Sequence, residues 1–86
     1  MYNMTKNEIV EKLNNILIKQ FGLEKGEIGP DKHLVNDLGA DSLDIMEIVT
    51  DCETEFNIAI EEFEYEKCNN VQDVVDLISK KLKSSQ

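Results

Sequence analysis

Ser42 stands in the run Asp37-Leu38-Gly39-Ala40-Asp41-Ser42-Leu43-Asp44, where a glycine-containing loop meets the start of a helical pattern. Three kinds of chemistry suit a serine there. As an N-cap, its hydroxyl would accept a free backbone N–H at the helix start. As an attachment point, it would place a phosphate ester beside those amides and the positive end of the helix dipole. As a nucleophile, it would need a sharp elbow with glycines two before and two after, where this chain has Ala40 and Asp44. The single histidine, His33, is the one imidazole base, and nothing in the sequence orients it. A self-contained hydrolase is therefore not expected, and no catalytic residue is assigned.

Cys52 and Cys68 lie sixteen positions apart and form no CxxC pair. Two thiols and one imidazole do not complete a four-ligand zinc site, so no metal site is expected. The cysteines are read as buried or half-buried free thiols in a reducing compartment.

Positioning Ser42 falls to three substantial helical patterns. The first starts at Thr5, whose spacing to Glu8 is that of a capping box. Ile9, Leu13, Ile16, Leu17 and Gln20 follow on one face, Lys19 suits the negative end of the dipole, and Gly22 stops the helix. A long connection from about Leu23 to Ala40 holds three of the four glycines and the only proline. Ile28, Leu34, Val35 and Leu38 are expected to anchor it to the core.

The second helix begins at Asp41 or Ser42 and runs to about Phe56, with Ile45, Ile48, Val49, Cys52 and Phe56 within one arc. A short helical turn is expected between Glu61 and Lys67. The last helix opens at Asn69 or Asn70, with Asp73 complementing its N-terminus. Val71, Val74, Val75, Ile78 and Leu82 form its buried stripe, and Lys80, Lys81 and Lys83 crowd its C-terminal end. No segment alternates apolar and polar residues at period two. The expected fold is all-α: a small four-helix bundle, three main helices plus one short helix, with a long loop after helix one. The 86 residues make one domain, 1–86, with a polar tail at about 83–86.

Lysine supplies all 9 positive charges against 18 carboxylates, for a net charge of −9. That balance excludes a nucleic-acid binder working through a basic footprint and argues against docking on an anionic membrane. No apolar run approaches the ~20 residues that span a bilayer, and residues 1–20 lack the pattern of a secretory signal. A cytoplasmic monomer without membrane insertion is expected.

Residues 33 to 66 contain no lysine at all, while ten carboxylates fall between Asp41 and Glu66. Asp44, Glu47, Asp51 and Glu55 follow one another at i+3 and i+4, and each such like-charge pair destabilises a helix by a few tenths of a kcal/mol. A solvated face is one reading; a docking face for a basic partner surface is the other. The self-repulsion predicts that divalent cations or lower pH, by relieving crowding among Glu47, Asp51 and Glu55, raise stability. Leu43 projects roughly 160° from the core stripe, on the ~100°-per-residue helical wheel. It reads equally as an ordinary exposed leucine or as an apolar anchor ringed by carboxylates.

The run Asp37 to Asp44 resembles the prosthetic-group attachment motif of acyl carrier proteins. The resemblance continues through Glu47, Glu53-Thr54-Glu55-Phe56 and Val71-Gln72-Asp73, and covers roughly residues 5 to 82. It implies that Ser42 takes 4′-phosphopantetheine from coenzyme A through a separate, magnesium-dependent phosphopantetheinyl transferase. Asp41 would then lie near the metal in the transferase complex. The arm's thiol would hold acyl chains as thioesters in fatty acid biosynthesis, with the helical core protecting them and no bond chemistry done by the carrier. Leu43, Asp44, Glu47 and Glu53 would meet basic docking patches on the fatty-acid synthesis enzymes, and Asp51, which continues the same acidic face, is counted with them on its charge.

The chain departs from many acyl carriers at Thr50, Asp51, Cys52 and Cys68. It also departs at Glu61, where a proline often opens the third helix. Alternative readings are a carrier for polyketide, lipid A or aminoacyl transfer, or an unmodified acidic interaction module.

Overall fold

A computed structural model describes residues 4–84. The chain forms α1 (Lys6–Phe21), a single 3₁₀ turn (Lys25–Glu27), α2 (Ser42–Phe56), α3 (Glu62–Tyr65) and α4 (Val71–Ser84). Among the described residues there is no strand, only one isolated bridge between His33 and Asn70. The bundle is all-α, as expected.

Each long helix starts on a reciprocal cap. At α1 the Glu8 N–H donates to Thr5 Oγ1 (3.2 Å) and the Thr5 N–H donates to Glu8 Oε1 (3.0 Å). Gly22 closes α1 in the left-handed region (φ 66°), a conformation open to glycine without a Cβ penalty. Asn57, also left-handed (φ 54°), ends α2. At α4 the Asp73 N–H donates to Asn70 Oδ1 (2.9 Å), while the Asn69 and Asn70 amides donate to Asp73 Oδ2. The expected cap and the expected anion are thus one device. The helix continues through Ser84, two residues into the region read as tail; 85–86 lie outside the described residues.

The core is built where the periodicity placed it. Ile9, Leu13 and Leu17 of α1 meet Ile48, Cys52 and Phe56 of α2 and Val71, Val75 and Ile78 of α4, all buried. Ile45, Val49, Val74 and Leu82 are half-buried at its margin. With Glu61 before it, α3 forms from Glu62, and the Glu61 N–H donates to Glu64 Oε1 (2.9 Å). Lys81 of α4 then reaches the same Glu64 oxygen at 2.6 Å and ties α3 to α4.

The long connection is hydrogen-bonded onto the start of α4. The Leu34 N–H donates to the Asn69 carbonyl, the Val71 N–H to that of Lys32, and the Gln72 N–H to that of Pro30. Leu34 and Ala40 enter the core, with Ile28 and Leu38 packed against it. Val35 does not serve as an anchor: it is 52% exposed. With its backbone turning through residues 33–40, the loop has room to bury one of two adjacent apolar side chains, and Leu34 takes the inner position.

Candidate functional site

The loop delivers Ser42 through a tight sequence of turns. The Asp37 and Leu38 amides donate to the His33 carbonyl, the Gly39 amide to that of Val35, and the Ala40 amide to that of Leu34. Gly39 sits at φ +76°, with nothing within 4 Å of where a Cβ would stand. Its glycine is required by backbone conformation rather than by space.

Ser42 is not the N-cap. That position belongs to Asp41: the Asp44 N–H donates to Asp41 Oδ1 (2.8 Å) and the Asp41 N–H donates to Asp44 Oδ2 (3.1 Å). An aspartate is as good a cap as a serine and stands one residue earlier, so it takes the role. Ser42 is left exposed as the first residue of α2, its hydroxyl not used by the cap. The free amides and dipole of α2 make this a favourable position for a phosphate ester.

His33 is oriented after all. Its Nδ1 accepts the Val35 and Asn36 amides (3.2 and 3.0 Å), while the backbone N–H of His33 donates to Asp37 Oδ2 (2.7 Å). An Nδ1 that accepts two amides leaves the proton of the neutral ring on Nε2. The imidazole therefore holds the loop, with its basic nitrogen already engaged.

Beside Ser42 lies a groove of about 400 Å³ bordered by His33, Val35, Met46 and Tyr65. Leu34, Ile45, Tyr65 and Cys68 line both this groove and a second cavity deeper in the bundle. The inner cavity, walled also by Ile48, Cys52, Ile60 and Leu77, measures only about 30 Å³, about one water's share of liquid volume. Its apolar lining gives a water few partners but suits a hydrocarbon. The two cysteine departures thus fall on the wall of this space. Both thiols are free. Burial, then Asp51, pushes the Cys52 thiol up to about 12; burial, then Asp73 and Asp76, pushes Cys68 up to about 11. Thiols so protonated are poor nucleophiles and act as apolar wall.

The outer face of α2 carries Leu43 (64% exposed) and Met46 (59%) beside Asp44 and Glu47. The partners missing from residues 33–66 come from the neighbouring helices: Lys81 of α4 at Glu64, and a cation and a neutral amide of α1. Lys12 Nζ lies 3.1 Å from Glu55 Oε2, and Gln20 Nε2 donates to Asp44 Oδ1 (2.9 Å) and Glu47 Oε1 (2.7 Å). The Gln20 amide, and after it the Asp41 backbone, hold the Asp44 carboxyl below the usual aspartate range. Gln20 is half-buried rather than a core residue, and its role was invisible to helical spacing. Asp51 faces the α1–α2 groove with Lys12, Lys19 and Glu55. Glu53 lies about 120° around the helix from Glu47, at roughly 100° per residue, and its Oε2 accepts the Ile60 N–H at 2.9 Å. The structure therefore brings Leu43, Asp44 and Glu47 together near Ser42, continues that face a turn further along with Asp51, and turns Glu53 away to the side.

Comparison with known proteins gives one answer. The family model described as "Phosphopantetheine attachment site" matches residues 11–78. The chain is 44% identical to the acyl carrier protein of Cyanidium caldarium over 79 residues, 92% of each chain. It is 40% identical to that of Chlorobium phaeobacteroides, covering 91% of this chain and all of the relative, and 36% identical to that of Thermotoga maritima, covering 91% and 96%. The chain belongs to the acyl carrier protein family. Its cofactor is a covalently attached 4′-phosphopantetheine. The acyl carrier has no helix, among the described residues, long and apolar enough to cross a membrane. Nor do three His, Cys, Asp or Glu side chains gather there to hold a metal.

The site fits the prosthetic group on its own geometry. A phosphodiester on Ser42 would project from an uncovered helix start, with the groove alongside to take the apolar end of the cargo.

Proposed function

We propose that Ser42 carries the 4′-phosphopantetheine arm and that the protein shuttles growing acyl chains as thioesters in fatty acid biosynthesis. The observation that carries this reading is the exposed Ser42 hydroxyl beside a groove whose floor is the roof of an apolar cavity. The arm supplies the thiol; the chain's residues position, shelter and present. Ile45, Tyr65 and Cys68, shared by the two spaces, are the side chains a hydrocarbon displaces on its way inward. At about 30 Å³ the inner cavity is too small for a long chain, so the core opens as cargo enters.

A phosphopantetheinyl transferase installs the arm. Asp41, adjacent to Ser42 with its carboxylate at the helix start, is the residue proposed to lie near that enzyme's metal. Leu43, Asp44 and Glu47 form the centre of a docking face for basic patches on fatty-acid synthesis enzymes, with Asp51 and Glu53 at its edges. The carrier is a single non-catalytic domain, working as a monomer in the cytoplasm.

Masses of thioesters recovered on the protein from its native cell test the pathway. Saturated and 3-hydroxy acyl groups of stepwise two-carbon spacing are expected. Aminoacyl, polyketide or a single hydroxyacyl cargo would move the protein to one of the specialised carrier roles. Recovery of active protein without any arm would leave only an acidic interaction module.

A further inference from the structure

We infer that Gln20 is a positioning residue for docking: its carboxamide holds the Asp44 and Glu47 carboxylates together as one preformed recognition element beside Ser42. The inference rests on the docking face proposed above and deepens it. Gln20 lies in the last turn of α1, 24 residues before Asp44. A single nitrogen, Nε2, donates at 2.9 Å to Asp44 Oδ1 and at 2.7 Å to Glu47 Oε1. Each of its two hydrogens thus has its own carboxylate. The opposite orientation of the amide would set a carbonyl oxygen against two anions, so the assignment follows from charge.

The arrangement reaches Ser42 in two steps. Asp44, held by Gln20 through Oδ1, accepts the Asp41 N–H through Oδ2, and its own N–H donates to Asp41 Oδ1. Asp41 and Asp44 bracket Ser42 and Leu43. Gln20 therefore fixes the cap that aims the serine as well as the two charges beside it.

The neutrality of the amide matters. Carboxylates at i and i+3 repel and, left alone, would splay apart. A lysine at position 20 would gather them but cancel charge that a basic partner needs. The carboxamide gathers them by donation alone, and both negative charges remain for the partner. A partner then meets a fixed anion pair and avoids part of the ordering cost that mobile side chains impose on association.

The test uses the full chain in its apo form, coenzyme A and a broad-specificity phosphopantetheinyl transferase. Gln20→Met keeps the length and removes both donors. The expected result is a rise in the transferase KM of about threefold to tenfold, with kcat within about twofold. The same substitution in an Asp44→Asn, Glu47→Gln background should change KM by less than about twofold, because the element it positions is gone. In carboxyl-detected NMR titration, Gln20→Met should move the Asp44 midpoint upward.

A KM unchanged by Gln20→Met, in protein whose wild type is modified normally, overturns the inference while leaving the carrier reading intact. An equal KM rise in both backgrounds overturns it as well, reducing Gln20 to an α1–α2 staple. Failure of the wild type to accept the arm overturns the carrier reading itself. A second measurement needs no variant. The two Gln20 Nε2 protons of the wild type should resonate apart from exposed glutamine amides and exchange slowly; values typical of a free side chain refute the inference.

Discussion

Replacing Asp41 separates the two tasks this residue is given. Asp41→Ala removes the oxygen that accepts the Asp44 N–H at 2.8 Å and so strips α2 of its cap. Loss of an N-cap costs about 1 kcal/mol. Removing one carboxylate from the acidic helix start returns a few tenths of a kcal/mol of relieved repulsion with Asp44. The net loss is ~0.7 kcal/mol, which for a domain of this size lowers Tm by roughly 3–6 °C. Asp41→Asn keeps the accepting oxygen, and asparagine caps as well as aspartate, so its Tm should fall by less than about 2 °C. In function the two variants converge. If Asp41 works near the transferase metal, both variants lose the charge and both slow arm transfer, although only the alanine variant is destabilised. Thermal melts by circular dichroism, paired with transfer rates on the same samples, read both quantities. An unchanged Tm for Asp41→Ala would refute the capping argument. A transfer rate for Asp41→Asn equal to wild type would refute the role of the charge.

Further outcomes follow from the same geometry. Glu8, Asp44 and Glu64 are held below their ordinary values of 4.5, 3.8 and 4.5, chiefly by hydrogen bonds with Thr5, Gln20 and Lys81 respectively. A folded-state value below the unfolded one gives stability that is complete above the unfolded value and lost as pH falls through the folded one. Tm should therefore drop below about pH 4.5, in place of the rise that crowding among unpaired carboxylates would give; a Tm that climbs between pH 5 and 3.5 would contradict these pairings. Gly39→Ala places a Cβ at φ +76° and should cost about 1–2 kcal/mol, read by urea melts, without any clash to relieve. Association rates with synthesis enzymes should fall as salt rises from 50 to 500 mM, since surface charges are screened beyond about 8 Å at physiological ionic strength. A rate independent of salt, measured by stopped flow, would remove charge from the docking argument.

What could be read from the sequence was mostly local. Thr5 with Glu8, Gly22, and the apolar stripes of α1, α2 and α4 depend on residues three or four apart, and all appear where periodicity and capping rules put them. The Asp41–Ser42 boundary was off by one role because both residues are good caps, and spacing cannot say which one turns its side chain inward. Leu34 and Val35 sit in a loop without a period, so nothing in their order says which is buried.

Contacts between elements were the least visible. Gln20 lies 27 positions from Glu47, and Lys12 lies 43 from Glu55. An acidic stretch with no internal lysine therefore looked uncompensated until α1 packed against it. Ser42, the proposed attachment point, stands out in the sequence for a different reason. Eight consecutive residues with a glycine at the turn and acids at the helix start form a short-range pattern that carries its own geometry.

The most direct measurement is the intact mass of the protein after coexpression with a broad-specificity phosphopantetheinyl transferase, run beside Ser42→Ala. Gain of one phosphopantetheine by the wild type, and none by the alanine variant, is the predicted result. An unmodified wild type under conditions that convert a control carrier, or a Ser42→Ala variant that still gains the arm, would contradict the account.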